Sequence, residues 1–138
     1  MRTVFSLTLL ALLGGCAASA SVSGGGNQGP ISAESSAAAD RALSGRVAGA
    51  PENCIPATQV TSTRVLADDL ILYEGRGNTD WLNRTRGPCG LKPYLSTRRQ
   101  GIGGSICAGE ILNVFDPRNG VPRGSCGLGE FVPYEKVR

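Results

Sequence analysis

The stretch Gln59-Val60-Thr61-Ser62-Thr63-Arg64-Val65-Leu66 is dense in β-branched residues, which favour a pleated backbone. Asp68-Asp69 then supplies a turn, and Leu70-Ile71-Leu72-Tyr73-Glu74 reads as a returning strand. Gly75-Arg76-Gly77-Asn78 turns the chain again, and Asp80-Trp81-Leu82-Asn83-Arg84-Thr85 gives a third strand. Further on, Gly87-Pro88-Cys89-Gly90 breaks the pattern. Residues 96–104 hold Arg98, Arg99 and three glycines and read as a loop. Glu110 to Asp116 predicts a strand with Ile111, Asn113 and Phe115 on one face. Asn119-Gly120 marks a tight turn, and Gly124 to Tyr134 reads as one closing strand. No stretch of 51–138 has a 3.6-residue apolar period. The expectation is an all-β domain, a small antiparallel barrel of OB-like or SH3-like type or a curled sheet, with about five or six strands.

The amino terminus has a different character. Met1-Arg2-Thr3 is singly positive, and Val4 to Leu13 is mostly apolar. That run is too short to span a bilayer, which needs about 20 apolar residues, but it suits a secretory leader. It ends in Leu13-Gly14-Gly15-Cys16, which resembles the bacterial lipobox. The resemblance implies cleavage before Cys16 and acylation of its thiol. Ala17 in the next position implies the outer membrane, facing the periplasm. The competing reading is cleavage after Ala18-Ser19-Ala20, which would release a soluble product. Residues 16–50 are rich in Ala, Ser and Gly and read as a flexible tether, in which Ser32 could cap a short helix. The expected organisation is a signal peptide over 1–15, a lipid-anchored linker over 16–50 and a folded domain over 51–138.

The 138 residues contain no histidine, which excludes Ser-His-Asp and Cys-His catalysis and any zinc site using imidazole. Net charge is +3, and residues 51–138 hold 11 Lys and Arg against 9 Asp and Glu. That balance predicts a mixed-charge surface with no basic stripe, and hence no nucleic-acid partner. Beyond Cys16 there remain Cys54, Cys89, Cys107 and Cys126. Their gaps of 35, 18 and 19 residues contain no C-x₂₋₄-C knuckle, so neither a metal nor a cofactor is expected. An even number in an exported chain predicts two disulfides. Three pairings exist. The nested one, Cys54–Cys126 with Cys89–Cys107, is favoured because it would staple the domain ends and close the Gly-rich loop.

The cysteine contexts form a series: Asn53-Cys54-Ile55, Cys89-Gly90-Leu91, Ile106-Cys107-Ala108-Gly109-Glu110-Ile111 and Ser125-Cys126-Gly127-Leu128-Gly129-Glu130-Phe131. With Trp81-Leu82-Asn83 between the first two, this resembles a family of small proteobacterial cell-envelope proteins of unassigned function over residues 53–134. The resemblance implies an exported domain with a four-cysteine frame, and no catalytic residues.

Carboxylates at Asp68, Asp69, Asp80, Glu110 and Asp116 could in principle include a pair for acid-base work on envelope glycans, but Asp69, Asp80 and Asp116 fall at expected turns. Gly101-Ile102-Gly103-Gly104-Ser105 lacks the Gly-Lys-Ser/Thr ending of a phosphate loop. Thiol-redox chemistry lacks a Cys-x-x-Cys. Arg84, Arg86, Arg98 and Arg99, if they converge near Trp81, could bind an acidic group on a glycan, a lipid headgroup or an envelope protein. The sequence therefore points to a lipid-anchored binding or accessory module without catalysis.

Overall fold

The structure, a computed structural model, describes residues 31–87, 89–92, 95–100 and 103–137. Cys16, the leader and the start of the tether lie outside the described residues. Among the described residues, one α-helix, α1 (Ala33–Ala42), precedes ten strands. These are β1 (Arg46–Ala48), β2 (Cys54–Pro56), β3 (Val60–Ala67), β4 (Leu70–Gly75), β5 (Thr79–Arg84), β6 (Ser96–Gln100), β7 (Ser105–Cys107), β8 (Ile111–Phe115), β9 (Pro122–Gly127) and β10 (Phe131–Lys136). They form a five-stranded sheet in the order β1-β10-β5-β4-β3, a three-stranded sheet β6-β8-β9 and a two-stranded ribbon β2-β7, all antiparallel. The fold is all-β as expected. The sheets curl over one another without closing a barrel.

In the large sheet β5 is central, with β4 beside it and β3 at the edge. Leu72 faces Leu82 and Tyr73 faces Trp81 across β4 and β5. All of Leu70, Ile71, Leu72 and Tyr73 are buried, so β4 is covered on both faces. One face carries the main core, in which Ile71, Tyr73, Trp81 and Phe131 meet Ile55, Ile106, Leu112, Val114 and Leu128 of the smaller sheets. Tyr73 and Phe131 pack edge to face at 5.5 Å between ring centres. Gly75 lets the chain turn close beside this core: a Cβ there would fall 2.8 Å from Cζ3 of Trp81.

The other face carries α1. Ser32 caps this helix, accepting from the Ser35 amide at 3.1 Å. Ser35, Ala38 and Leu43 are buried, and Ser35 Oγ donates to Asp69 Oδ1 at 2.7 Å. A ten-residue helix is marginal alone, and docking on a sheet supplies what propensity cannot. Residues 46–48 then add a strand beside β10. The expected tether to residue 50 is therefore corrected: the ordered fold already includes α1 and β1, and the expected domain start at 51 is too late.

Two further corrections concern the strands. Residues 96–100 are not loop but an edge strand, because Arg98 and Arg99 alternate faces on a regular ladder with β8. The expected closing strand 124–134 is two strands in different sheets, separated by a crossing at 128–130. On β8 Ile111, Asn113 and Phe115 share one face as expected, and it is the outer one, since Leu112 and Val114 are the buried residues.

The four cysteines do form two disulfides, but the nested pairing is corrected to an interleaved one, Cys54–Cys107 and Cys89–Cys126. Cys54 and Cys107 are direct partners in the β2-β7 ribbon, with Cα atoms 4.0 Å apart. The start and end of the domain are joined instead by backbone: the amides of Glu52 and Phe131 each donate to the other's carbonyl. Non-reducing peptide mapping should recover these two crosslinks and neither nested one. Phe131, with 0% exposure, should lose about 3–5 kcal/mol of unfolding free energy on substitution by Ala, read from denaturant midpoints.

Candidate binding face

The candidate arginines are separated by the pleat. Trp81 is 5% exposed in the main core, and its indole N–H donates to Glu52 Oε1 at 2.6 Å. Arg84 lies on the helix-bearing side, where its Nε meets Asp69 Oδ2 at 3.1 Å. Arg99 faces the interior side of β6, opposite Leu112, and pairs with Glu110 at 3.1 Å. The same arginine also donates to the Ser105 carbonyl. These three residues do not converge.

Arg86 and Arg98 do share a surface. Arg98 is the cross-strand partner of Asn113, and Asn113 is the partner of Ser125, so the three form one row across the outer face of β6-β8-β9. Parallel to it run Gln100, Ile111 and Gly127. Arg86 extends that second row: it bridges to Gly127, and its Cβ lies beside the position a Gly127 Cβ would take, on the same side as Ile111. Ser96, Phe115 and Pro122 make the third row. The Arg98 guanidinium sits over the Phe115 ring, 5.4 Å from its centre. Arg86, Arg98, Gln100 and Ser125 are exposed. No carboxylate belongs to these rows. Among the described residues, neither Arg86 nor Arg98 makes an ion pair.

The charge is more segregated than the overall balance suggested. Residues 86–127 contain six Lys and Arg against two Asp and Glu, a net charge of +4. Residues 31–85 and 128–138 contain seven against nine, a net charge of −2. The segment that contains the three-stranded sheet is thus net basic, and the rest carries a small acidic excess. The two acids in the basic segment are both engaged. Glu110 Oε1 accepts from the Cys107 amide, closing the Cys-Ala-Gly-Glu turn around Gly109, whose φ is +87°. Asp116, 1% exposed at the end of β8, receives Arg118 at 3.1 Å and Arg123 at 3.3 Å.

The remaining candidate carboxylates, Asp68, Asp69 and Asp80, are each committed to a different cation. Asp80 is buried inside β5, not at a turn, and meets Arg46 at 2.6 Å and the Gly75 amide at 3.0 Å. Asp68 pairs with Lys92. Burial raises the Asp69 carboxyl, but hydrogen bonds from Ser35 and Arg84 and the charge of Arg84 outweigh it and hold the pKa below the usual aspartate value. Glu74 is lowered by hydrogen bonds from Ser62 and Arg64. Asp116 is held well below the usual range, first by the Arg118 side chain and then by its amide, with Arg123 adding to the effect. Burial pushes the Tyr73 hydroxyl up to about 12. A groove of about 610 Å3 between β3 and β6 is lined by Thr63, Arg64, Val65, Leu95, Ser96 and Thr97. Its one charged group, Arg64, is bound to Glu74. Among the described residues there is no group of side chains suited to a metal ion, and no helix long and apolar enough to cross a membrane.

No family model, curated protein or solved structure matches this chain.

Because Asp69, Glu74 and Asp116 have lowered folded values, unfolding takes up protons near the ordinary carboxylate pKa of about 4. Their stabilisation is complete above about pH 5 and is lost as pH falls through the folded values. The denaturant midpoint should therefore drop on acidification. Asp116→Asn should lower it at pH 7, and the gap to wild type should narrow as pH falls.

Proposed function

We propose that this chain is a non-catalytic, lipid-anchored binding module of the bacterial cell envelope, presenting the outer face of β6-β8-β9. The observation that carries the reading is that face: two exposed arginines without carboxylate partners, on the one sheet where positive charge is concentrated. Free guanidinium groups bind planar anions through two parallel hydrogen bonds. The lipobox-like Leu13-Gly14-Gly15-Cys16 supports the anchor, and the two disulfides fit an oxidising compartment. The resemblance of the cysteine contexts to small proteobacterial envelope proteins supports the same location. Two or three acyl chains at Cys16 would hold firmly, since each buried CH₂ contributes about 0.8 kcal/mol. Residues 17–30 would serve as the tether.

The intact mass of the mature protein tests the anchor. A chain beginning at acylated Cys16 is expected, and a Cys16→Ala variant should leave the membrane fraction. An unacylated chain beginning at Ser21 would overturn the anchor. A photoreactive residue at Ser125 tests the surface. In cells it should give envelope adducts that the same group at the exposed Ser36 of α1 does not. Equal labelling from both positions would overturn the assignment of the face.

A further inference from the structure

We infer that the outer face of β6-β8-β9 takes an acidic polysaccharide, its carboxylates received by Arg86 and Arg98 and its hydroxyls by the polar side chains between them; this rests on the binding-module reading above. The geometry favours a chain over a small anion. Arg98 stands on β6 and Arg86 lies beyond β9, three strand spacings away and one row along. At about 4.8 Å per strand, their Cα atoms are roughly 15 Å apart, so a single sugar acid cannot reach both. Between them lie Asn113, Gln100 and Ser125, which offer amide and hydroxyl donors and acceptors. Gly127 leaves the floor flat where a chain would pass.

The same surface fits other polyanions less well. A nucleic-acid strand needs aromatic platforms for its bases, and among the described residues of these rows the one ring, Phe115, is already covered by Arg98. A lipid surface calls for a cluster of apolar side chains to bury beneath the headgroups, and the face offers Ile111, 43% exposed, and Pro122 in separate rows, with Phe115 under Arg98. A protein interface of ordinary size centres on a cluster of aromatic and aliphatic anchors, whereas the apolar residues of these rows, Ile111, Phe115 and Pro122, are interleaved with polar ones, and Phe115 lies under Arg98. Carboxylates repeated along a hydroxyl-rich chain match what remains: spaced guanidinium groups with neutral hydrogen-bonding groups between.

The test is binding of the full chain to a long oligogalacturonate, measured by titration at low and physiological salt. Galacturonic acid, neutral dextran, polyuridylate RNA and phosphatidylglycerol vesicles are run beside it. The oligomer should bind at least tenfold more tightly than the monomer, because two linked contacts act together. Arg86→Gln and Arg98→Gln should each weaken binding about tenfold. Ser125→Glu, which sets a negative charge between them, should abolish it. Arg76→Gln removes the same charge from an exposed turn outside the face and should change nothing. Equal losses from Arg76→Gln and Arg98→Gln would reduce the effect to net charge and overturn the proposal. Tighter binding of RNA or vesicles, with the same dependence on Arg86 and Arg98, would overturn the glycan as occupant. No binding to the oligomer, with Ser125 still crosslinking an envelope component in cells, would overturn this inference while the binding-module reading survives.

Discussion

The rest of the structure depends on how the chain crosses from the small sheet to the large one between Gly127 and Phe131. The backbone groups there must be satisfied without a ladder, in a place where Leu128 and Phe131 are both 0% exposed. Asn83 does much of this. Its amide nitrogen donates to the Gly129 carbonyl at 2.7 Å, and its amide oxygen accepts from the Gly129 N–H at 3.3 Å. The Leu128 amide reaches the Glu110 carbonyl, and the Gly109 amide returns to the Leu128 carbonyl. Arg86 donates its amide to the Gly127 carbonyl. One fully buried asparagine on the large sheet thus fixes where the small sheet sits. An apolar residue of similar size would leave the Gly129 groups unpaired in a dry interior.

The crosslinks act on the same junction from either side. Cys89–Cys126 ties the segment after β5 to the end of β9, one residue before the crossing. Cys54–Cys107 ties the ribbon that closes over the other end of the core. The two loops interleave in sequence, so together they restrict the chain from Cys54 to Cys126. In the chain-entropy account, loops of 53 and 37 residues each contribute about 4 kcal/mol. That is a large share of the margin available to a small domain. It accounts for how a chain this rich in glycine keeps a fixed arrangement of short strands.

Much of this was legible in the sequence, and the parts that were not share a cause. The β3-β4-β5 meander could be read because alternation and turn residues are local signals. The cysteine pairing could not, since it depends on β2 meeting β7 across 53 residues. Nor could the place of 33–48 in the fold: the Ala-rich composition reads as tether, and only docking on the helix-bearing face of the sheet, through Ser35 and Asp69, makes it structure. Ser32 as a cap was the one local hint. The strand at 96–100 was hidden by the glycines that follow it. The arginines were recognised as candidates by type alone. Their separation depends on which of them point into the fold, and that follows from registers that no local pattern fixes.

Arg98 and Arg99 show how the pleat divides structural from available charge. They are adjacent in sequence and chemically identical, yet one turns inward to hold Glu110 and the Ser105 carbonyl, and the other turns outward over Phe115. The inward residue is tied into the Cys107 turn through Glu110, which also accepts the Cys107 amide. Placing Arg99 fixes the register of β6 against β8, and the register in turn sets Arg98 beside Asn113 and Ser125. A one-residue slip would exchange the two arginines, exposing the structural one and burying the free one without a partner. The internal ion pair therefore does more than neutralise a carboxylate. It determines which guanidinium the outer face presents, and so couples the stability of the small sheet to the chemistry of its surface.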